Sequence, residues 1–139
     1  MIARSVLDAS AAVHLVLRGV HASKLSQKLK DVAVVMTPEL YCSEVANSLL
    51  KYVRAGQLTV DQAISRFERC MALAGTLIPE ATLASEALVA ASRTQGSVYD
   101  MMYAVLARRS GATVITMDRP FALRLRDMDI EAYCPLTEA

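Results

Sequence analysis

Residues 97–109, SVYDMMYAVLARR, read as an apolar helix with one carboxylate, Asp100, in its first turn. Ser97 can cap that helix while Asp100, three residues on, reaches back to it. Met101, Met102, Val105 and Leu106 supply a packing face, and Ser110-Gly111 ends the run. Residues 112–117 follow at once, a β-branched segment containing TVIT and closed by Asp118. The same grammar stands at the start of the chain, where residues 2–7 form a short apolar strand stopped by Asp8. Capping alone would account for any of these acids judged singly. Together they are acids set against apolar segments, and burying such groups is costly unless they are paired or bind metal.

Between these segments the pattern alternates. Residues 21–30 have helical spacing with exposed lysines, and residues 32–36 form a second strand ended by Thr37-Pro38. The proline can open a helix over 38–54 with Leu40, Val45, Leu49, Leu50 and Val53 on a core stripe and Glu44 near it, closed by Ala55-Gly56. Thr59 and Gln62 form a capping box for a helix reaching roughly to Leu73. Gly75 breaks it, residues 76–78 are extended, and a helix over 82–95 turns Leu83, Ala87, Leu88 and Ala91 inward before Gly96. After Asp118, Pro120 opens a short helix with Phe121, Leu123 and Leu125. Asp127-Met128-Asp129 makes a turn and residues 130–134 a last edge strand. Short strands alternating with helices predict an α/β fold with a central, mainly parallel sheet flanked by helices.

The chain of 139 residues fits a single domain, 1–139, able to bury roughly two-thirds of its unfolded surface without metal or disulfide staples. A hydrophobic content of 54% excludes disorder. Three cysteines, Cys42, Cys70 and Cys134, are odd in number and lack any CxxC pair, so neither a disulfide framework nor a zinc knuckle is indicated, and a reducing cytoplasm fits best. Asp8 comes too early for a signal peptide, and no apolar run is long enough to span a membrane. Net charge is only +1, which does not announce nucleic-acid binding. Local balance differs: from Arg93 to Arg126 there are six arginines against two acids, Asp100 and Asp118. If those acids hold a cation, that surface turns toward polyanions.

Two strands that are neighbours in a parallel sheet would bring Asp8 and Asp118 to one rim, beside the helix start bearing Asp100. Glu44 joins them if its helix crosses the same rim. Clustered carboxylates repel and raise one another's pKa. Oxygen-only ligands suit Mg²⁺ or Mn²⁺, and phosphodiester hydrolysis is the natural reaction. No histidine is required, so His14 and His21 read as structural or surface residues. No Ser-His-Asp arrangement, Gly-rich phosphate loop or HExxH motif is present.

The segments VLDASAAVHL (6–15), ELYCSEVANSLLKYVRAGQLT (39–59) and SVYDMMYAVLARRSGATVITMDRPF (97–121) closely resemble the PIN domain, in particular the VapC-like ribonuclease toxins of type II toxin–antitoxin pairs. The resemblance spans nearly the whole chain and implies a three-layer α/β/α sandwich with about four or five strands. It implies metal-dependent endonucleolytic cleavage of RNA, with Asp8, Glu44, Asp100 and Asp118 as catalytic metal ligands for Mg²⁺ or Mn²⁺. Asn47, three residues after Glu44, Thr116 in the TxD motif and Ser10 would orient substrate or water. Arg108, Arg109 and Arg119 are candidate contacts to RNA phosphates. The resemblance further implies a homodimer and a cognate antitoxin whose C-terminal segment lies in a groove of the early helices, a surface to which Leu15, Leu17, Tyr41, Leu50 and Tyr52 could contribute.

Two other readings remain. A non-catalytic PIN-like module would keep the fold and dock a protein or nucleic acid, which intact acids weigh against. A phosphatase of the haloacid-dehalogenase type would want a second Asp where Ser10 stands, and a receiver domain would want a late lysine, whereas no lysine follows Lys51.

Overall fold

In the computed structural model, which describes residues 2–138, the strand at the middle of the sheet is the first one, β1 (Arg4–Leu7). It pairs in parallel with β2 (Val34–Pro38) on one side and β4 (Thr113–Ile115) on the other. β3 (Thr76–Ile78) and β5 (Ala132–Tyr133) extend the two flanks, giving a five-stranded parallel sheet in the order β3-β2-β1-β4-β5. Residues 1 and 139 of the expected domain lie outside the described residues.

Chain direction across the sheet decides which face each helix covers. From β1 to β2 the chain passes through α1 (Ala9–Val16) and α2 (Ala22–Lys30), and from β2 to β3 through α3 (Leu40–Arg54) and α4 (Val60–Leu73). It then reverses: α5 (Ala84–Ser92) and α6 (Val98–Ser110) carry it back to β4 on the far side of β1, and α7 (Arg119–Asp127) leads to β5. Right-handed crossovers made in opposite directions fall on opposite faces, which yields three layers. Residues one apart on the strands therefore serve different cores. Val6 and Val114 pack with α5, α6 and α7, whereas Leu7 and Ile115 pack with α1 to α4. The reversal lies between β1 and β4, the point at which open α/β sheets leave a crevice at the carboxyl ends of the strands.

The local signals explain most boundaries. Thr59 accepts from the Gln62 amide while the Gln62 side chain accepts from Thr59 N–H, a complete capping box. Gly111 ends α6 in the left-handed conformation. Several expectations need correction. Pro38 does not open α3; it closes β2, paired with Ile78, and α3 starts at Leu40. The segment after β3 is a single 3-10 turn, Glu80–Thr82, before α5, so the helix expected over 82–95 is shorter. Leu88 is 61% exposed, because Leu83 and Ala87 define the buried stripe and Leu88 falls beyond its edge. Tyr41 belongs to the core rather than to a surface groove, its hydroxyl donating to the Cys70 carbonyl at 2.7 Å.

Gly75, just before β3, has φ +66, and a Cβ there would collide with the Val35 carbonyl oxygen on β2. Gly75→Ala is therefore expected to destabilise the protein by about 1–3 kcal/mol, read from urea unfolding, through combined backbone strain and displacement of β2.

Candidate active site at the carboxyl ends of β1 and β4

Asp8 occupies the residue after β1 and the N-cap position of α1, yet its side chain makes no capping hydrogen bond. Its Oδ2 instead accepts from Ser10 Oγ at 2.8 Å and from Thr116 Oγ1 at 2.6 Å. The Asp8 amide donates across the sheet to the Ile115 carbonyl at 2.9 Å, locking the ends of β1 and β4 together. Thr116 is fully buried and its hydroxyl also accepts from the Asp118 amide at 3.0 Å, while Ser10 Oγ accepts from the Met117 amide at 3.0 Å. Two hydroxyls thus tie the acid after β1 to the loop after β4.

Asp118 caps α7, its Oδ1 accepting from the Phe121 amide at 3.0 Å. Asp100 lies in the first turn of α6, where its amide donates to Ser97 Oγ at 3.0 Å. No return hydrogen bond from the Asp100 carboxylate to the Ser97 backbone is present among the described residues. That carboxylate lies 3.9 Å from the Arg124 guanidinium on α7. Glu44, half-buried on α3, receives the Tyr103 hydroxyl on Oε1 at 2.7 Å. Tyr103 is itself buried and packs edge-on to Phe121.

These acids come from four separate elements and act on one another. Burial pushes the Asp8 carboxyl up against the opposing hydroxyls of Thr116 and Ser10, with the charge of Asp118 adding to the rise. Burial also raises Glu44, opposed by the Tyr103 hydrogen bond and reinforced by Asp8 and Asp100. Asp100 is pushed up to about 6, first by burial and then by Asp8 and Asp118, against the pull of Arg124. Titratable groups so displaced, set around a topological reversal, make this the candidate site of the fold. Among the described residues no three His, Cys, Asp or Glu side chains are gathered closely enough to hold a metal ion.

The other residues singled out by sequence fall in different places. Asn47 is exposed one helical turn beyond Glu44, and Arg119 is exposed beside Asp118. Arg108 and Arg109 sit at the opposite end of α6, about 12 Å along its axis from Asp100. Both flank Glu86, at 3.8 and 3.6 Å, and Arg109 also donates to the Thr82 carbonyl. His14 accepts the His21 amide on Nε2 at 3.0 Å and stacks on the His21 ring, a structural role as expected. Tyr103 and Arg124 were missed. Tyr103 follows Asp100 by three residues, a spacing that puts both on one helix face. Arg124 has no comparable signal, since its approach to Asp100 depends on how α7 lies against α6.

Residues 5–124 match the PIN domain family. The chain belongs to that family. This PIN-domain chain is 29% identical over 119 residues to Ribonuclease VapC3 of Pyrobaculum aerophilum, covering 84% of the chain and 91% of that protein. Among solved structures it resembles PAE2754 from Pyrobaculum aerophilum, with 25% identity, a TM-score of 0.69, and 89% and 87% of the two chains covered. FitAcB from Neisseria gonorrhoeae is similar in fold, at 17% identity and a TM-score of 0.63, with 96% and 99% covered. The three-layer PIN fold inferred from the motifs is thereby established.

Proposed function

We propose that this protein is a metal-dependent endoribonuclease, the toxin of a toxin–antitoxin pair. One observation supports the reading: Asp8, Glu44, Asp100 and Asp118 stand around the sheet's reversal point near enough for their charges to act on one another, with burial raising the first three. The likeness to Ribonuclease VapC3 supports RNA as the substrate.

The chemistry of the donors suits a hard divalent cation, Mg²⁺ or Mn²⁺, because they are carboxylate oxygens, with Asp8 and Glu44 held in place by hydroxyls. Bound there, such a cation supplies charge neutralisation and activation of water for phosphodiester hydrolysis. Asp8, Glu44, Asp100 and Asp118 would be the ligands, their side chains closing on the cation from the wider spacing they keep without it. Ser10 and Thr116 hold Asp8 in one rotamer, and Tyr103 does the same for Glu44. Arg119 and Arg124 stand at the rim for the anionic backbone, whereas Arg108 and Arg109 would meet RNA only well beyond the scissile bond. Asn47 lines the same cavity as Glu44.

Partner surfaces are also available. An apolar cavity of about 300 Å³ between α3 and α4 is lined by Leu50, Val53, Val60, Ile64 and Phe67, and supports docking of an amphipathic antitoxin segment. Leu88 and Val89, exposed on α5, support pairing of two copies as a homodimer. No helix among the described residues is long and apolar enough to cross a membrane, and Cys42, Cys70 and Cys134 are free thiols, in keeping with a cytoplasmic protein.

The test is cleavage of a structured RNA pool by purified protein with Mg²⁺ or Mn²⁺, against EDTA. Cleavage that requires the cation supports the reading, and cleavage indifferent to EDTA sinks it. Tyr103→Phe, which preserves the ring packing and deletes the donor to Glu44, is expected to weaken Mn²⁺ binding about 10- to 100-fold by calorimetry.

A further inference from the structure

Beside the acids lies a cavity of about 570 Å³ lined by Leu40, Ser43, Glu44, Asn47, Glu80 and Tyr99. Glu44 belongs to both the cavity and the acidic group, and Tyr99 is the residue immediately before Asp100. We infer that this cavity is a subsite for one unstacked RNA base bearing an exocyclic amino group, next to the bond that is cut. The inference rests on the ribonuclease reading and deepens it.

Four features carry it. Tyr99 is 63% exposed although it lies in the first turn of α6, whose residues 101–107 are buried, so its ring is presented to solvent at the mouth of the site. An aromatic face held out in this way is what a splayed base stacks on. Ser43 and Asn47 stand four residues apart on α3, hence on one helix face, and both are exposed, offering hydroxyl and amide groups to a base edge. Leu40, only 6% exposed, supplies an apolar floor. Glu80 completes the wall; its turn is held by its own amide, which donates to Glu39 Oε1 at 2.9 Å, and among the described residues no cation pairs with it.

Charge then selects the part of the nucleotide. No lysine or arginine lines the cavity, and Glu80, which lies outside the proposed cation ligands, presents a carboxylate to it, so the cavity wall away from the cation repels a phosphate and attracts N–H donors. Adenine, cytosine and guanine carry an amino group that a carboxylate can accept from; uracil presents one N–H between two carbonyl oxygens that a carboxylate repels. The subsite therefore ranks uracil last. Because the base must leave its stack to enter, the substrate is single-stranded at that nucleotide.

Binding is measured in the full chain carrying Asp100→Asn, so that RNA survives, using a random-sequence RNA pool and then the tightest-binding single-stranded oligonucleotide in it. Removing the base from one nucleotide at a time is expected to reveal a position where the loss raises Kd about tenfold or more, the ordinary worth of one stacked base. Adding Tyr99→Ala raises Kd by a similar factor, and the same abasic site then costs nothing further. Tyr99→Phe retains binding, and uracil at that position binds most weakly. RNA binding that is indifferent to Tyr99→Ala, or an abasic penalty that persists in that variant, overturns the subsite alone and leaves the cavity to a cationic side chain of a protein partner. Failure of the unsubstituted chain with Mg²⁺ or Mn²⁺ either to bind or to cleave any RNA of the pool overturns the ribonuclease reading, and the subsite with it.

Discussion

Asp100→Asn is expected to lower RNA cleavage by at least about 100-fold and, at neutral pH without metal, to raise the melting temperature by a few degrees. The two effects share a cause. In the folded chain burial and the charges of Asp8 and Asp118 push the Asp100 carboxyl up to about 6 from an ordinary 3.8. A carboxyl raised on folding stabilises the native state below its unfolded pKa, and that contribution is lost as pH rises through about 6. At pH 7.5 the metal-free protein thus holds an ionised group that it would rather keep protonated. The side chain is 35% exposed, so solvent screening keeps the gain from removing its charge to a few degrees. Scanning calorimetry from below pH 3.8 up to pH 7.5 checks the sign, with the variant's advantage small at the low end, growing as pH rises toward about 6 and full at pH 7.5. If Asp100 served only to cap α6, loss of its charge from the helix N-terminus would lower the melting temperature at neutral pH. Added Mn²⁺ should raise the melting temperature of the unsubstituted chain and leave the variant nearly unmoved.

Thr116→Val is expected to cost about 1–3 kcal/mol of stability by urea unfolding and to weaken Mn²⁺ binding about 10- to 100-fold. Valine keeps the shape of threonine and deletes only the hydroxyl. That hydroxyl donates to Asp8 at 2.6 Å and accepts the Asp118 amide at 3.0 Å, with the side chain wholly buried. Without it Asp8 loses the hydrogen bond that does most to oppose its raised pKa, and the Asp118 amide loses its acceptor. Thr116→Ser restores the hydroxyl and should recover most of both losses. A purely steric role for Thr116 would give the reverse ranking, with valine tolerated better than serine.

Asp8, Asp100 and Asp118 were legible because each stands at an element boundary against an apolar segment, whereas Glu44, inside α3, has no boundary to mark it and rested on the family resemblance. Asp8 and Asp118 follow β-branched or apolar strands, and the neighbouring pairing of β1 with β4 follows once both are seen as buried. Features set by the crossing of elements were not legible. Pro38 lies in β2 because pairing with β3 outweighs its fitness to start a helix, and Tyr41 is internal because its hydroxyl finds the Cys70 carbonyl across α4. Leu88 carries the hydropathy of a core residue but falls outside the stripe set by Leu83 and Ala87. The approach of Arg124 to Asp100 and of Tyr103 to Glu44 joins residues on different helices, and no spacing in the chain encodes either distance.

The position of β4 between β1 and β5 has a consequence for how the protein is made. Synthesis delivers the N-terminal segments first. Until β4 and the loop after it emerge, β1 has an open edge, Asp8 has no Thr116 to hold it, and Asp118 does not exist. On the proposed ribonuclease reading, a ribosome-bound chain therefore lacks an assembled acidic site until its last segments dock.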